Sequence, residues 1–377
     1  MEILLNRNQA MKAVDVAVKF AESASGHQVL QGVLVSAEDG RVRLTTTDLE
    51  VWCQAELDAQ TRQPGKALVP ARKLGTVLKA MPDNRVRLRN EGDDVVCEAG
   101  PSEVRLAGLD MEEFPDVEEP QGRLLTMPLT ASLVYKVGYA ASKDETRYTL
   151  TGVLLCVEDR RLKLVATDGH RLARFVGNLP PGSTCDGSGE PVEAIVPVRL
   201  LNEGVRLGGK PGGAVTFELH EKTAAVRING SIRIWSPLIE GRYPAYEETV
   251  PSTYTSTVSV AKGALCSAVA RMAALSKGRR NSGLALSVED SCLVLRLGGD
   301  AGDGISAVER VAPVRPQGTV PLCGLRIAYL SEALARLPDT AWVDVKFSDE
   351  EGASPVAIQG AEGSGAGLLK VIMPYKL

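Results

Sequence analysis

The feature that most constrains the fold is one series of landmarks that occurs three times along the chain. Residues 30–34 (Leu-Gln-Gly-Val-Leu) lead to Thr47-Asp48, and residues 150–154 lead to Thr167-Asp168 over the same distance. A Val-Pro pair and a later closing Pro recur in every unit: Val69-Pro70, Val196-Pro197 and Val320-Pro321, then Phe114-Pro115, Tyr243-Pro244 and Met373-Pro374. This shared order predicts one domain folded three times. Repetition builds a surface or an enclosure, whereas a catalytic centre normally needs unlike parts.

The repeat sets the predicted domains at 1–124, 125–252 and 253–377. Apolar residues at helical spacing predict an opening helix in each domain, at 6–22, from Thr130, and at about 260–276. A second helix is predicted after each Val-Pro pair, at 70–80, 197–206 and 325–337. Strand pairs with hairpin turns are predicted at 29–36 with 41–47, 152–157 with 162–167, and 284–288 with 292–297. Each domain is thus predicted to be α+β, with two helices and about eight strands.

Composition and charge limit the class of protein. Of the 377 residues, 44% are hydrophobic and 24% are charged, which is typical of a soluble globular protein. Because the sequence shows no signal peptide and no membrane-spanning apolar run, we expect a cytoplasmic protein with no membrane partner. The net charge of −4 argues against binding nucleic acid over the whole surface but allows a local basic face.

The cysteine and histidine content gives no metal-binding pattern. The seven Cys are scattered without a C-x-x-C pair, and the chain has only three His. We therefore expect free thiols that serve as small apolar fillers, no metal and no cofactor.

The most conspicuous short segment is 166–173, Ala-Thr-Asp-Gly-His-Arg-Leu-Ala. Asp168 and His170 suggest acid–base chemistry, with Arg171 binding an anion. The alternative is a tight Asp-Gly turn between two strands, with His170 and Arg171 exposed at its edge. Thr47-Asp48 at the equivalent place in the first unit favours the turn, and the chain has neither G-x-S-x-G nor H-E-x-x-H. No catalytic residue is therefore assigned.

Basic residues recur on the predicted helices of all three units. One exposed charge on a helix is usually only a solvated face, but the recurrence favours a common electrostatic surface. Its partner would be phosphate, read by charge and not by sequence. These residues are Lys12, Lys19, Arg72, Lys73, Lys79, Lys136, Lys143, Arg199, Arg206, Lys262 and Arg271.

The C-terminus is apolar up to its last residue. Val371 and Ile372 fit a closing strand. Met373, Pro374 and Leu377 beyond them fit an apolar groove for a partner's peptide.

In this order and spacing, the segments resemble the bacterial β sliding clamp family, the processivity subunit of DNA polymerase III. The matching segments span essentially the whole chain and are 47–50, 69–73, 114–115, 147–152, 166–173, 240–244 and 371–374. The resemblance implies three clamp domains, each with two helices packed on antiparallel sheets, and a head-to-tail homodimer that closes six domains into a ring. It implies a non-catalytic protein that encircles duplex DNA without reading its sequence and tethers the replicative polymerase.

The resemblance also implies which residues contact each partner. The DNA polymerase III catalytic subunit, the clamp loader, repair polymerases and mismatch-repair proteins would share one peptide groove. That groove would contain Leu150, Thr167, Gly169, His170, Arg171, Leu172, Pro244, Glu248, Arg326, Tyr329, Val371, Ile372, Met373, Pro374 and Leu377. DNA would be contacted by Arg72, Lys73, Arg147 and Tyr148, to which the helix charges add Lys143 and Arg199. Val104 and Leu106 of one subunit would face Leu275 of the other.

Some positions depart from the family's usual pattern. Residues 24–28 lack the Arg-Pro often found before the first strand, and Val198 stands where a basic residue usually follows Val-Pro. Glu248 and Arg326 occupy rim positions that often carry Arg and Asn. Charge changes at a rim alter which peptides bind more readily than whether a groove exists. A specialised or duplicate clamp, or an interaction scaffold that does not load on DNA, are the alternatives.

Overall fold

The structure is a computed structural model that describes residues 1–22, 26–186, 189–208, 214–276, 283–298, 306–361 and 367–376. The described residues form six α-helices: Arg7–Ala17 (α1), Ala71–Ala80 (α2), Ala131–Val137 (α3), Val198–Gly208 (α4), Lys262–Leu275 (α5) and Ile327–Ala335 (α6). None of these helices is long and apolar enough to cross a membrane.

Antiparallel strands form the remaining regular structure, together with short 3-10 turns. The first nine strands are Glu2–Asn6 (β1), Gly32–Glu38 (β2), Arg41–Thr47 (β3), Trp52–Gln63 (β4), Gly65–Pro70 (β5), Arg85–Glu91 (β6), Asp94–Ala99 (β7), Ser102–Leu106 (β8) and Arg123–Pro128 (β9). They are followed by Gly152–Glu158 (β10), Arg161–Thr167 (β11), Arg171–Asn178 (β12), Thr184–Cys185 (β13), Val192–Pro197 (β14), Val215–His220 (β15), Thr223–Ile228 (β16) and Ile232–Pro237 (β17). The last are Ser256–Ala261 (β18), Gly283–Glu289 (β19), Cys292–Leu297 (β20), Ala307–Val311 (β21), Val314–Gln317 (β22), Cys323–Arg326 (β23), Trp342–Phe347 (β24), Val356–Gly360 (β25) and Leu368–Ile372 (β26).

The chain divides into two compact units whose borders cross the predicted central domain. The first unit comprises Met1–Thr130, Pro180–Ser188 and Arg199–Leu238, and the second comprises Ala131–Leu179, Gly189–Val198 and Ile239–Leu377. The first unit contains one sheet of 13 strands, in which β17 pairs with β4. The second contains sheets of nine and four strands, and in the larger sheet β12 pairs with β26. These pairings satisfy backbone groups that would otherwise lie at open sheet edges. The division into three domains stays a prediction from the repeat.

The three predicted hairpins are confirmed, and each turns through two residues with positive φ. They join β2 to β3, β10 to β11 and β19 to β20. The turn residues are Asp39 (47°) and Gly40 (77°), Asp159 (46°) and Arg160 (60°), and Asp290 (47°) and Ser291 (60°). Positive φ at both central residues is the type I′ arrangement, whose twist matches that of the flanking strands. The repeat therefore extends to the backbone conformation of its turns.

The first helix confirms its predicted start and ends earlier than predicted. The Asn6 side chain caps α1 by accepting a hydrogen bond from the backbone N–H of Gln9 at 3.1 Å. The α-helix ends at Ala17, and a 3-10 turn continues the chain to Phe20. The α1 and α2 helices pack closely, since a Cβ atom added to Gly75 would lie 3.3 Å from Val14 Cγ1.

The third Val-Pro pair is out of register with the other two. The β5 and β14 strands end on Pro70 and Pro197, directly before α2 and α4. The equivalent β23 strand ends on Arg326, directly before α6, and Val320-Pro321 come before that strand. The predicted helix at 325–337 is confirmed, but the short strand β23 separates it from the Val-Pro pair.

Candidate functional site

The segment after β11 is a tight turn held by its own side chains. Thr167 Oγ1 donates a hydrogen bond to the Arg171 carbonyl at 2.6 Å and accepts one from the Gly169 N–H at 3.1 Å. Asp168 Oδ1 accepts hydrogen bonds from the backbone N–H groups of His170 and Arg171 at 2.9 and 3.0 Å. The first repeat has the same four hydrogen bonds, formed by Thr47 and Asp48 with Leu49, Glu50 and Val51. The predicted architectural turn is confirmed.

The Arg171 side chain is buried, so the prediction that it is exposed was wrong. Its side chain is 9% exposed, Nε donates to Asp168 Oδ2 at 3.0 Å, and Nη2 donates to the Tyr139 carbonyl at 2.9 Å. Nη1 forms an ion pair with Glu332 on α6. The guanidinium also lies over the rings of Tyr139 and Tyr329, with its Cζ 5.2 and 4.8 Å from the two ring centroids. Tyr139, Tyr329 and Glu332 lie far from Arg171 in the sequence, so local turn chemistry alone could not indicate them.

An apolar groove lies beside this turn. It encloses a cavity of about 120 Å³, lined by Leu150, Thr167, Gly169, Arg171, Leu172, Pro244, Ala245, Tyr246, Thr249, Val371 and Met373. Leu172 and Val371 lie opposite one another on the paired strands β12 and β26 and form the groove floor. Beyond β26, the Met373 N–H donates to the His170 carbonyl at 2.9 Å and holds the tail against the turn.

Sequence reasoning misses the wall that follows Pro244. Ala245, Tyr246 and Thr249 line the cavity, and the last two belong to the 3-10 turn Tyr246–Thr249. The closing Pro of the second sequence repeat shows where this segment begins. The repeat does not show that the next residues fold back over the strands.

Some of the predicted groove residues lie elsewhere. Ile372 is fully buried in the core of the second unit, because alternate residues of a strand point to opposite faces and Val371 takes the groove side. His170 and Glu248 are exposed outside the cavity lining. Pro374 is half-buried, and Leu377 lies outside the described residues.

Two predicted groove residues belong to an aromatic cluster outside the cavity lining. The Arg326 Cζ lies 5.5 Å from the ring centroid of Tyr329 and 5.7 Å from that of Tyr375. The Tyr375 N–H donates to the Gly324 carbonyl at 2.7 Å, so the tail runs along β23. Arg326 therefore contacts the C-terminal tail through Tyr375, and neither Arg326 nor Tyr329 is part of the cavity lining.

The predicted DNA-contact residues differ in how much of their charge is available. Arg72 and Lys73 are exposed on α2. Arg199 on α4 forms ion pairs with Asp48 and Glu50, which offset its charge, and its contact with DNA stays a prediction.

The remaining candidates for DNA contact are exposed in the second unit. Arg147 Nη1 donates to the Asp168 carbonyl at 3.1 Å, and Tyr148 is exposed beside it. Lys143 is exposed in the loop between the 3-10 turns Gly138–Ala140 and Glu145–Thr151, and not on a helix as predicted.

The predicted interface residues lie at unequal depths. Val104 is 37% exposed on β8, the terminal strand of the 13-stranded sheet, and Leu275 is exposed at the end of α5. Leu106 is only 6% exposed because it packs into the core of the first unit, so its assignment as an available interface residue is corrected. Val308 on β21, the terminal strand of the four-stranded sheet, is exposed and was not predicted.

The seven cysteines are free thiols. Cys97 and Cys323 are buried, and burial raises the pKa of each thiol to about 12. Such thiols stay protonated and pack as small apolar groups.

The repeated turns and the strand-built cavity define a class: an α+β protein assembled from similar units, with an apolar groove where β12 meets β26. The sequence matches the family models of the DNA polymerase III beta subunit at residues 1–118 (N-terminal domain) and 125–245 (central domain). The chain belongs to the β sliding clamp family of DNA polymerase III, and it is a sliding clamp of DNA replication.

Individual relatives match along their whole length. The beta sliding clamps of Synechococcus elongatus and Pseudomonas putida are 27% and 28% identical to the chain, with all of each sequence covered. The crystal structure of the DNA polymerase III subunit beta from Pseudomonas aeruginosa covers both chains fully, with a TM-score of 0.88 and 27% identity. A sliding clamp from the same organism bound to griselimycin has a TM-score of 0.84 and 28% identity, again with both chains covered fully.

Proposed function

We propose that two copies of this chain close head to tail into a ring of six domains that encircles duplex DNA. The groove at β12 and β26 then tethers the catalytic subunit of DNA polymerase III, and the clamp loader, repair polymerases and mismatch-repair proteins bind in the same groove. The observation that carries this proposal is the apolar cavity beside the Asp168 turn in a member of the β sliding clamp family. The protein acts in the cytoplasm, without catalytic activity of its own.

The cavity has the chemistry of a site for short apolar peptides. Leu172, Val371 and Met373 present apolar surface, and burying such surface gains roughly 25 cal/mol per Å². Backbone and hydroxyl groups of the Thr167 turn lie at the margin and can fix the orientation of a bound strand.

A catalytic role for the same segment has little support. Both carboxylate oxygens of Asp168 are already engaged, Oδ1 by backbone N–H groups and Oδ2 by Arg171. These hydrogen bonds give Asp168 a structural role in the turn.

Weak charge contacts support a sliding role. Arg72 and Lys73 are exposed on one helix, where they can meet phosphate oxygens through screened interactions. The acidic balance of the chain and the offset charge of Arg199 keep such contacts few, so retention on DNA depends on a closed ring.

Two terminal strands support the head-to-tail dimer. The β8 and β21 strands both end their sheets and carry the exposed apolar residues Val104 and Val308. Open strand edges pair readily with a strand of another chain. Pairing β8 of one copy with β21 of the next is a heterologous contact, which closes a ring if the rotation permits.

If the protein forms a closed ring, it should stay on circular DNA and slide off linear DNA that has free ends. Wild-type protein loaded by a clamp loader onto nicked circular plasmid should stay bound through gel filtration and be lost after the plasmid is cut once. Val104→Asp, which places a charge on the open β8 edge, should sediment as a monomer and fail to remain on circular DNA. Wild-type protein that stays on linear DNA with free ends would contradict topological binding. A wild-type monomer at micromolar concentration would instead favour the scaffold that does not load.

The groove predicts a local loss of ligand affinity. Leu172→Ala with Met373→Ala should weaken a polymerase-derived clamp-binding peptide, and griselimycin, at least tenfold because both changes remove apolar floor contacts. Calorimetric titration measures the effect, with circular dichroism to confirm the fold. The matched control is Leu322→Ala with Met111→Ala, which removes one Leu and one Met side chain that are exposed outside the groove. Equal affinity in the two double variants would remove the groove assignment.

A further inference from the structure

The first repeat contains a pair of strands whose backbone arrangement matches that of the groove strands β12 and β26. In the first unit, β4 follows the Asp48 turn as β12 follows the Asp168 turn. The β17 strand pairs with β4 as β26 pairs with β12. Trp52 lies opposite Trp235 in this register, as Leu172 lies opposite Val371 in the groove floor.

Aromatic side chains fill the position in this strand pair that corresponds to the groove. The rings of Trp52 and Trp235 stack with centroids 5.9 Å apart and planes 8° apart. Phe114 packs edge-on against Trp52 at 6.2 Å and 85°, and both Phe114 and Trp235 are buried. Trp235 Nε1 also donates to the Glu118 carbonyl at 3.1 Å, which fastens the segment after Phe114 over the pair. Two stacked indoles and an edge-on ring are a favourable arrangement and occupy far more volume than leucine and valine.

The other equivalent positions differ in the same sense. Gly169 lines the groove with φ of +85°, whereas Leu49 holds the same left-handed conformation at +75° and carries a side chain. Met373 donates its N–H to the turn, whereas Pro237, which follows Trp235 and Ser236, has no N–H to donate. Each difference adds bulk or removes a hydrogen bond that the groove uses.

We infer that Trp52, Trp235 and Phe114 fill the groove position of the first repeat, so that apolar peptide ligands can bind only where leucine and valine form the floor. The inference rests on the proposed peptide function of the β12–β26 groove. The aromatic cluster thereby limits the number of partners that one chain holds at once. Trp52 and Trp235 are specificity-determining residues that exclude a ligand, and replacing them with the residues of the groove floor opens a second site for the same chemical class.

The experiment is a titration of binding stoichiometry with griselimycin. The wild-type chain should bind one equivalent, and Trp52→Leu with Trp235→Val should bind two. Adding Leu172→Ala and Met373→Ala to that double variant should return the stoichiometry to one, since only the first-repeat site remains. Trp342→Leu is the matched control, because it removes the third tryptophan of the chain from a different sheet and should leave one equivalent.

A folded Trp52→Leu/Trp235→Val variant that still binds one equivalent would overturn the inference. If the double substitution does not fold, Trp52→Leu with Trp342→Phe leaves Trp235 as the sole tryptophan beside the opened space. Griselimycin should then change the Trp235 fluorescence in a saturable manner, and constant emission at saturating ligand would overturn the inference equally. A wild-type chain that binds no ligand would count against the proposed groove and not against the aromatic filling.

Discussion

Replacing Arg171 with alanine is expected to lower the free energy of unfolding by about 3 kcal/mol, near the lower end of the cost of breaking a buried ion pair. The same substitution should weaken groove ligands at least tenfold. The guanidinium binds Asp168 and Glu332, donates to the Tyr139 carbonyl and lies over two tyrosine rings. Its loss frees the Thr167–Gly169 side of the groove from α6. Urea unfolding and calorimetric titration measure the two effects.

A double-mutant cycle separates the ion pair from general damage. Glu332→Ala should cost less alone than Arg171→Ala, and the two together should cost less than their sum, with a coupling energy of about 0.5–3 kcal/mol. Arg161→Ala, an exposed arginine on the neighbouring strand β11, is the matched control and should change stability by less than about 0.5 kcal/mol. Additive effects in the cycle would show that Arg171 does not act through Glu332.

The sequence indicates those parts of the site that depend on neighbouring residues. The Asp168 turn is predicted because Asp and Gly satisfy the backbone locally, and the same residues recur at Asp48. The hairpins follow for the same reason. The sequence alone could have excluded Ile372 from the predicted groove residues, since two consecutive strand residues cannot both face the same side of a sheet.

Long-range partners decide the parts that sequence reasoning misses. Arg171 is buried only because Tyr139 and Glu332 reach it from other elements. The sequence predicts that the charge of Arg199 is available. In the structure, the turn after β3 brings Asp48 and Glu50 into ion pairs with it. Helix periodicity shows which face of a helix is polar, but it does not show which carboxylate pairs with a basic residue on that face.

The repeat also does not show that strands of different predicted domains pair with one another. The three sequence repeats are similar, yet β17 pairs with β4 and β26 pairs with β12 across the borders of the predicted domains. The repeat explains why both junctions have the same register. Side-chain size then explains why one of them holds a cavity and the other holds Trp52 and Trp235.

The groove strand also carries a fully buried lysine on its other face. Lys370 on β26 is 0% exposed, its Nζ donates to the Lys136 carbonyl, and it lies 4.5 Å from the ring centroid of Tyr139. Arg336 lies over the same ring at 4.6 Å. Burial, and then the positive charges of Arg336 and Lys136, hold the pKa of Lys370 well below its ordinary value of 10.5. The protonated form of Lys370 is therefore disfavoured in the folded protein.

Lys370→Met is expected to raise the free energy of unfolding at pH 7 by about 1–3 kcal/mol, because an apolar chain of similar length replaces a desolvated amino group at the cost of one hydrogen bond. The gain should shrink as pH rises towards about 10.4. Between the folded and unfolded pKa values of Lys370, the unfolded wild-type chain binds more protons than the folded chain, so wild-type stability rises relative to the variant by up to about 1.4 kcal/mol per pH unit. Urea unfolding at pH 7, 8 and 9 measures the difference, with Lys346→Met on β24 of the same sheet as the matched lysine removal. A Lys370→Met variant less stable than wild type at every pH, with a constant difference, would mean that Lys370 stabilises the fold as a charged group.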